Sequence, residues 1–77
     1  MELGLDEAGL MENRIRILRA ERRMSQSDLA EIIDVSRQTV HALENGKHDP
    51  SLPLAYAIAR AFAVRVQEVF PDAGQPG

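Results

Sequence analysis

The chain has 77 residues and no cysteine, which leaves room for one small domain and excludes disulfides and thiolate-bound metals. Its formal net charge of -3 is unusual for a protein that binds phosphates. The excess of acids lies at the start, however, because residues 1–12 hold four acidic and no basic side chains, whereas residues 13–77 hold nine basic and eight acidic ones. The charge of the main part therefore permits DNA binding without predicting it.

The sequence divides into three parts. Residues 1–12 contain two glycines and no clear period, and we interpret them as an N-terminal extension. Residues 13–70 carry the helical pattern of a compact domain, and residues 71–77 have the composition of a C-terminal tail. No apolar run approaches the roughly 20 residues of a membrane span, and no leader pattern is present. We therefore expect a soluble, cytoplasmic protein with no membrane partner.

The first predicted helix covers residues 13–23, with Asn13 as its N-cap. Ile15 and Leu18 lie three residues apart and predict the face that packs into the core. Ile17 lies off that face, so we expect it to be exposed.

Two short helices separated by only three residues follow, spanning 26–33 and 37–45. Ser25 and Ser36 are predicted to cap them, and Asp28 completes a near capping box at the first. The predicted apolar sides are Leu29, Ala30, Ile32 and Ile33 in the former helix and Val40 and Leu43 in the latter. A short turn between two capped amphipathic helices is typical of a helix-turn-helix unit.

The outer surface of the third helix is polar, with Arg37, Gln38 and His41 predicted to face solvent. Arg can bond guanine bidentately and Gln can do so with adenine, so these side chains are suited to the major groove of DNA. Thr39 offers a hydroxyl and a methyl for a phosphate or a thymine. The pattern therefore predicts that this helix reads base edges.

The last two predicted helices close the core. Ser51 caps the fourth, which tolerates Pro53 in its first turn, and residues 66–70 form a short fifth helix. The predicted core side chains are Leu54, Ala57, Ile58, Ala61, Phe62, Val66, Val69 and Phe70. The fold class predicted from these elements is all-α, a five-helix bundle with an embedded helix-turn-helix.

Five fragments occur in order between residues 13 and 70: S-Q-x-x-L-A, V-S-R-Q-T-V, E-N-G-K, P-S-L and V-x-V-x-E-V-F. With these fragments the chain resembles the Cro/cI-type helix-turn-helix regulators, called the xenobiotic-response-element family in bacteria, and most of all their small single-domain members. The resemblance implies a lambda repressor-like DNA-binding domain. It also implies a transcriptional regulator, expected to be a repressor, that binds a palindromic double-stranded operator as a homodimer with residues 37–45 in the major groove.

The resemblance also implies roles for individual residues. Arg19 and Glu44 match a partly buried ion pair between the first and third helices of relatives, and Gln26 is expected to contact phosphate and brace Gln38. The expected base contacts are Arg37, Gln38, Thr39 and His41. The expected phosphate contacts are Ser25, Gln26, Ser36, Asn45, Lys47 and His48. Candidates for the dimer surface are Tyr56, Val66, Val69 and Phe70, although a monomeric core would bury some of them.

The chain departs from the family pattern at four helix ends. Where relatives often have glycine or serine, this sequence has Arg23, Asp34, Ala63 and Arg65. Because arginine and alanine tolerate left-handed backbone poorly, we predict altered helix terminations at Arg23 and Ala63 and a weakly capped fifth helix.

Other classes of function have less support. His41, Glu44 and His48 show helical spacing, but Gly46 ends the helix between them, so we expect no metal site. No nucleophile-and-base arrangement, phosphate loop or effector pocket is evident, so we expect no catalysis, no cofactor and no small-molecule ligand. Two alternatives stay open: an antitoxin that also binds its own operator, and a scaffold protein that kept the fold without reading DNA.

Overall fold

The structure is a computed structural model that describes residues 13–71, and these form five helices and no strand. The helices are α1 (Ile15–Glu21), α2 (Gln26–Ile33), α3 (Arg37–Glu44), α4 (Leu52–Phe62) and α5 (Val66–Val69). The predicted all-α, five-helix architecture is confirmed. Within the described residues, no helix is both long and apolar enough to cross a membrane. The predicted extension 1–12 and residues 72–77 of the predicted tail lie outside the described part.

One apolar core lies between the five helices. The largest fully buried side chains belong to Phe62 and Phe70. In α4 the prediction is only partly correct, because Ala55 and Ala59 are buried whereas the predicted Leu54, Ala57 and Ala61 are half-buried and pack against the core. The core residues are Ile15, Leu18, Leu29, Ala30, Ile33, Val40, Leu43, Ala55, Ile58, Ala59, Phe62, Val69 and Phe70. Val35, in the turn between α2 and α3, packs against this core and closes it between the two helices.

Serine side chains start the three middle helices. The hydroxyl oxygens of Ser25, Ser36 and Ser51 accept hydrogen bonds from backbone N–H groups three residues further along. The Asp28 carboxylate in turn accepts a hydrogen bond from the Ser25 N–H at 3.0 Å, and this second bond completes the predicted capping box. Each cap satisfies one of the N–H groups that a helix start leaves without a partner, and it fixes where the helix begins.

The first helix is shorter than predicted. It begins at Ile15 with Arg14 in the N-cap position, so the predicted N-cap Asn13 lies one residue too early, although its side chain accepts a hydrogen bond from the Ile15 N–H at 3.1 Å. At its other end, Arg22 and Arg23 leave the helical backbone, which the prediction had extended to residue 23. The fully buried Ile15 and nearly buried Leu18 form the core face as predicted, and Ile17 is exposed as predicted.

The predicted alteration of helix ends at Arg23 and Ala63 is wrong. Both residues adopt positive φ, 53° and 59°, as does Asp34 at 62°, so all three occupy the left-handed region that favours glycine. At each position the next residue bonds back to the end of the helix, from the N–H groups of Met24, Val35 and Val64 to the carbonyls of Arg19, Ala30 and Ala59, as in a Schellman-type helix end. The fifth helix is weakly capped as predicted, because Arg65 offers no side-chain acceptor and only Glu68 bonds back to the Arg65 N–H.

One apolar residue predicted for the core is exposed, and two that were candidates for both the core and a dimer surface are buried in the core. Ile32 is 56% exposed and does not belong to the buried side of α2. Val69 and Phe70, which were also candidates for a dimer surface, are at most 1% exposed and fill the core of the single chain. Buried in this way, they are not exposed on a surface that a partner could contact. Of the other two candidates for the dimer surface, Val66 is only partly buried and Tyr56 is exposed.

Candidate nucleic-acid interface

Helix α3 has one buried and one exposed side. Val40 and Leu43 are at most 1% exposed and anchor the helix on the core, while Arg37, Gln38 and His41 are exposed. Ser36 caps the start of the helix, and Gly46 with φ 71° ends it in the left-handed conformation that the Asn-Gly pair predicts. A helix anchored in this way presents its polar side chains at a fixed angle.

Three of the four residues predicted to contact bases lie together. Arg37, Gln38 and His41 line a surface concavity of about 220 Å³. The fourth, Thr39, is half-buried, and its hydroxyl lies 2.9 Å from the Ser36 hydroxyl, so it serves the helix start. The concavity is therefore lined by a guanidinium, an amide and an imidazole, which can donate and accept hydrogen bonds.

The start of α2 lies beside this surface. Ser25 and Ser36, both predicted phosphate contacts, use their hydroxyl oxygens as caps, which leaves their O–H groups able to donate. The backbone N–H of Ser25, and to a smaller extent its hydroxyl, hold the pKa of Asp28 below its usual value. Asp28 therefore places a negative charge within the first turn of α2, at the positive end of the helix dipole.

A polar network joins α1, α2 and α3 below the exposed surface. The predicted pair of Arg19 and Glu44 is present and bidentate: Nε of Arg19 donates to Oε2 of Glu44, and Nη2 donates to Oε1 at 3.2 Å. Arg19 also donates to the Met24 carbonyl at 2.8 Å. The network therefore connects the recognition helix to the first helix and to the start of the second.

Gln26 extends this network to the concavity lined by Arg37, Gln38 and His41. Its Nε2 donates to Oε1 of Glu44 at 3.1 Å, and its Oε1 accepts from Nη1 of Arg37 at 3.2 Å. The residue of α3 that Gln26 bonds is thus Arg37, one position before the predicted partner Gln38. Residue 37 opens α3 and lies next to the start of α2, whereas residue 38 points further round the helix.

Glu44 is the buried acid of this network, with a side chain only 1% exposed. Its burial by itself raises the pKa of the carboxyl. Hydrogen bonds from Arg19 and Gln26, with the charges of Arg19 and Arg16, outweigh the burial and hold the pKa of Glu44 below its usual value. The carboxylate is consequently ionised at neutral pH and can only accept hydrogen bonds.

Three predicted phosphate contacts, Asn45, Lys47 and His48, directly follow the C-terminal end of α3. Lys47 and His48 are exposed, and the Lys47 N–H bonds back to the Ala42 carbonyl. Asn45 is held from both sides, because its Oδ1 accepts from Nη2 of Arg16 at 3.3 Å and its Nδ2 lies 3.2 Å from a ring nitrogen of His41. Asn45 therefore links the end of the recognition helix to α1.

Sequence reasoning missed two contacts of this region. Asn13 donates to the Leu43 carbonyl at 2.7 Å and so ties the start of α1 to the end of α3, in addition to accepting a bond from the Ile15 N–H. Nη2 of Arg16 donates to Asn45, a contact that the arginine-rich first helix did not predict, and Nε of Arg16 lies 3.7 Å from Oε1 of Glu44. Both contacts join residues about 30 positions apart, and no local spacing in the sequence signals them.

Among residues 13–71, no three histidine, aspartate or glutamate side chains are arranged to hold a metal ion.

Comparison with known proteins agrees with this geometry. The helix-turn-helix family model matches residues 15–69. An uncharacterised helix-turn-helix-type transcriptional regulator of Methanocaldococcus jannaschii is 47% identical over 60 residues, which cover 78% of this chain and 91% of the relative. The immunity repressor of Bacillus phage phi105 is 34% identical over 56 residues, covering 73% of this chain and 39% of the repressor.

Solved structures give the same result for the fold. The restriction-modification controller protein from Aeromonas hydrophila superposes with a TM-score of 0.70 at 32% identity, over 74% of this chain and 86% of the controller. The region that the family model matches contains all five helices, from Ile15 at the start of α1 to Val69 at the end of α5. The chain belongs to the Cro/cI-type helix-turn-helix family of transcriptional regulators.

Proposed function

We propose that this regulator binds specific sequences of double-stranded DNA with α3 in the major groove and represses transcription. The observation that carries the proposal is the arrangement of α3, whose apolar face is buried while Arg37, Gln38 and His41 line one exposed concavity. An anchored helix with donors and acceptors on its free side is the element that reads base edges.

The charge of the described residues supports the proposal. Residues 13–71 contain nine basic and seven acidic side chains, a net charge of +2, in contrast to -3 for the whole chain. Exposed Lys47 and His48 follow the recognition helix, where they would meet the phosphates that flank the groove. The side chains that would position the protein therefore surround those that would read sequence.

We further propose that the regulator acts as a homodimer on a palindromic operator. Leu52 and Tyr56 lie one turn apart on α4 and are 65% and 47% exposed, and half-buried Val66 lies on the neighbouring helix. An exposed apolar pair of this kind is suited to a second copy of the chain. A two-fold dimer would place its recognition helices in successive major grooves, about 34 Å apart.

The test of the reading surface is selection of bound duplexes from random sequence, followed by affinity measurements with variants. Arg37→Ala and Gln38→Ala should each lose about 1–3 kcal/mol on the selected duplex and little on random DNA. Lys47→Ala should weaken binding to all sequences equally and reduce the salt dependence. Arg60→Ala, which removes an exposed charge from α4, is the matched control. Equal losses on selected and random DNA for Arg37→Ala would contradict base reading.

The test of the dimer is sedimentation equilibrium with and without the selected duplex. Tyr56→Gln should shift the free protein toward the monomer and reduce cooperative binding to the two half-sites. A selected sequence without two-fold symmetry, or a monomer that binds with full affinity, would contradict the dimer while leaving the base-reading proposal intact.

A further inference from the structure

We infer that Glu44 sets the base preference of Arg37 by fixing which end of the Gln26 amide faces the recognition helix. The inference rests on the proposed function and adds to it a residue that determines specificity without touching DNA. Glu44 is in this sense a positioning residue, because it acts on the reading surface through Gln26.

The chemistry of its two neighbours determines the orientation of the Gln26 amide. Nε2 of Gln26 donates to Glu44 and Oε1 accepts from Arg37. A carboxylate can only accept hydrogen bonds and a guanidinium can only donate them. The reversed amide would set two acceptors against each other at Glu44 and two donors against each other at Arg37, so only one orientation satisfies both contacts.

Glu44 is held firmly enough to impose this orientation. Its side chain is 1% exposed, and Arg19 binds both carboxylate oxygens. Gln26 is itself half-buried between α2 and α3. The carboxylate therefore cannot turn toward solvent, and the Gln26 amide cannot satisfy its N–H groups elsewhere without losing a bond to a charged partner.

The consequence for recognition concerns residue 37. The fixed Gln26 carbonyl oxygen faces that position and requires a donor there, which Arg37 supplies through Nη1. The guanidinium has further N–H groups, and their planar fork matches the O6 and N7 acceptors of guanine. By holding the Gln26 carbonyl against Arg37, Glu44 favours the rotamer in which that fork is presented, and hence guanine at the base pair that Arg37 meets.

The first experiment uses the free full-length chain and needs no DNA. In nuclear Overhauser spectra, the side-chain amide protons of Gln26 should show stronger contacts to the γ protons of Glu44 than to the guanidinium protons of Arg37. Amide protons with stronger contacts to Arg37, or an amide that exchanges between both orientations, would overturn the inference. Since this measurement is independent of binding, it tests the amide orientation on which the inference depends even if selection recovers no preferred duplex, an outcome that would contradict the proposed function.

The second experiment measures guanine preference at the selected position in two backgrounds. Glu44→Gln frees the amide to reverse, and we expect it to lower the preference for guanine about tenfold, in the range for one bidentate base contact. In an Arg37→Gln background the same change should have no effect on base preference, because glutamine can either donate or accept. The exposed Glu31→Gln removes the same charge from α2 and is the control.

The double comparison separates positioning from stability. A purely structural role for Glu44 would weaken binding to all sequences equally and in both backgrounds, and that result would overturn the inference. Circular dichroism establishes whether Glu44→Gln is folded, and if it is not, the amide contacts of the wild-type chain decide the question.

Discussion

In the helix pair α2–α3, the contacts that distinguish the structure are directional: Gln26, Arg37 and Glu44 are joined by hydrogen bonds with defined donors and acceptors. In the pair α4–α5, the distinguishing contacts are apolar, with Phe62 and Phe70 both at 1% exposure in the core. In both pairs a serine, Ser25 or Ser51, caps the start of the first helix, and a left-handed residue, Asp34 or Ala63, ends it. The difference between the pairs therefore lies in their tertiary contacts.

This difference separates specificity from stability. Apolar burial is not directional and tolerates small shifts, whereas a hydrogen bond between fixed partners loses its energy when one partner turns. The side chains that meet DNA must point in defined directions, and those that hold the bundle need only be close-packed. We therefore expect changes in α4–α5 to alter mainly stability and changes in the polar network to alter recognition as well.

The largest expected effect is that of Phe62→Ala. Loss of a fully buried aromatic ring costs about 3–5 kcal/mol, which is comparable to the whole stability of a domain this small. Denaturant unfolding at 25 °C should show a chain that is largely unfolded in buffer. The milder Phe62→Leu should stay folded with reduced stability and select the same duplex sequence as the wild type. A changed base preference in Phe62→Leu would show that the apolar contacts of α4–α5 affect recognition as well as stability.

The next largest effect is expected for Arg19→Met, which removes the main partner of a buried carboxylate. Breaking such a pair costs about 3 kcal/mol, and the fold should survive at low temperature. Because Arg19 also fixes Glu44 for its bond to Gln26, base preference should fall together with stability. A loss of stability without any change in base preference would show that the network serves the fold alone.

Arg19→Met also changes the pH dependence of stability. The pKa of Glu44 in the folded wild type lies below its usual value, so the stabilising contribution is present above about pH 4.3 and is lost as the pH falls through the folded-state pKa. Without Arg19, the burial of Glu44 is opposed only by Gln26 and Arg16, so the folded-state pKa of Glu44 lies higher than in the wild type and less stability should be lost as the pH falls. Urea unfolding between pH 3 and pH 7 measures this shift, and identical profiles would contradict it.

Sequence reasoning predicted the local features of both regions well. The capping box of Ser25 and Asp28, the paired core positions of α3 and the left-handed end at Gly46 all depend on spacings of one to four residues. Such features are fixed by backbone geometry near each residue, so the sequence alone contains the necessary information.

The contacts that sequence reasoning missed depend on how the helices pack. The bond from Gln26 to Glu44 spans 18 positions and that from Arg37 to Gln26 spans 11, and the helical period does not determine which residue of α3 meets α2. Similarly, an apolar residue such as Phe70 has the same pattern whether it fills a core or a dimer surface. Tertiary packing also overrode propensity at Arg23 and Ala63, which adopt the backbone expected of glycine.

The smallest expected effect concerns the left-handed backbone of Ala63, which lies between α4 and α5 in the apolar region. Ala63 has φ 59°, in the left-handed region that costs a non-glycine residue about 1–2 kcal/mol. Ala63→Gly removes that cost but gives the unfolded chain more freedom, worth about 0.4–1 kcal/mol, so the net stabilisation should be about 0.5–1 kcal/mol. Thermal and denaturant unfolding measure it.

Ala20→Gly is the matched control, because Ala20 is exposed within α1 and the same substitution there should destabilise the chain by about 0.5–1 kcal/mol. Opposite signs at the two positions would establish that packing of α4 against α5 holds Ala63 in a backbone state that it disfavours. Since Ala63 lies outside the polar network, DNA affinity and base preference should stay at wild-type values. A loss of base preference in Ala63→Gly would show instead that the end of α4 is coupled to the reading helix, and the two regions would then have to be treated as one.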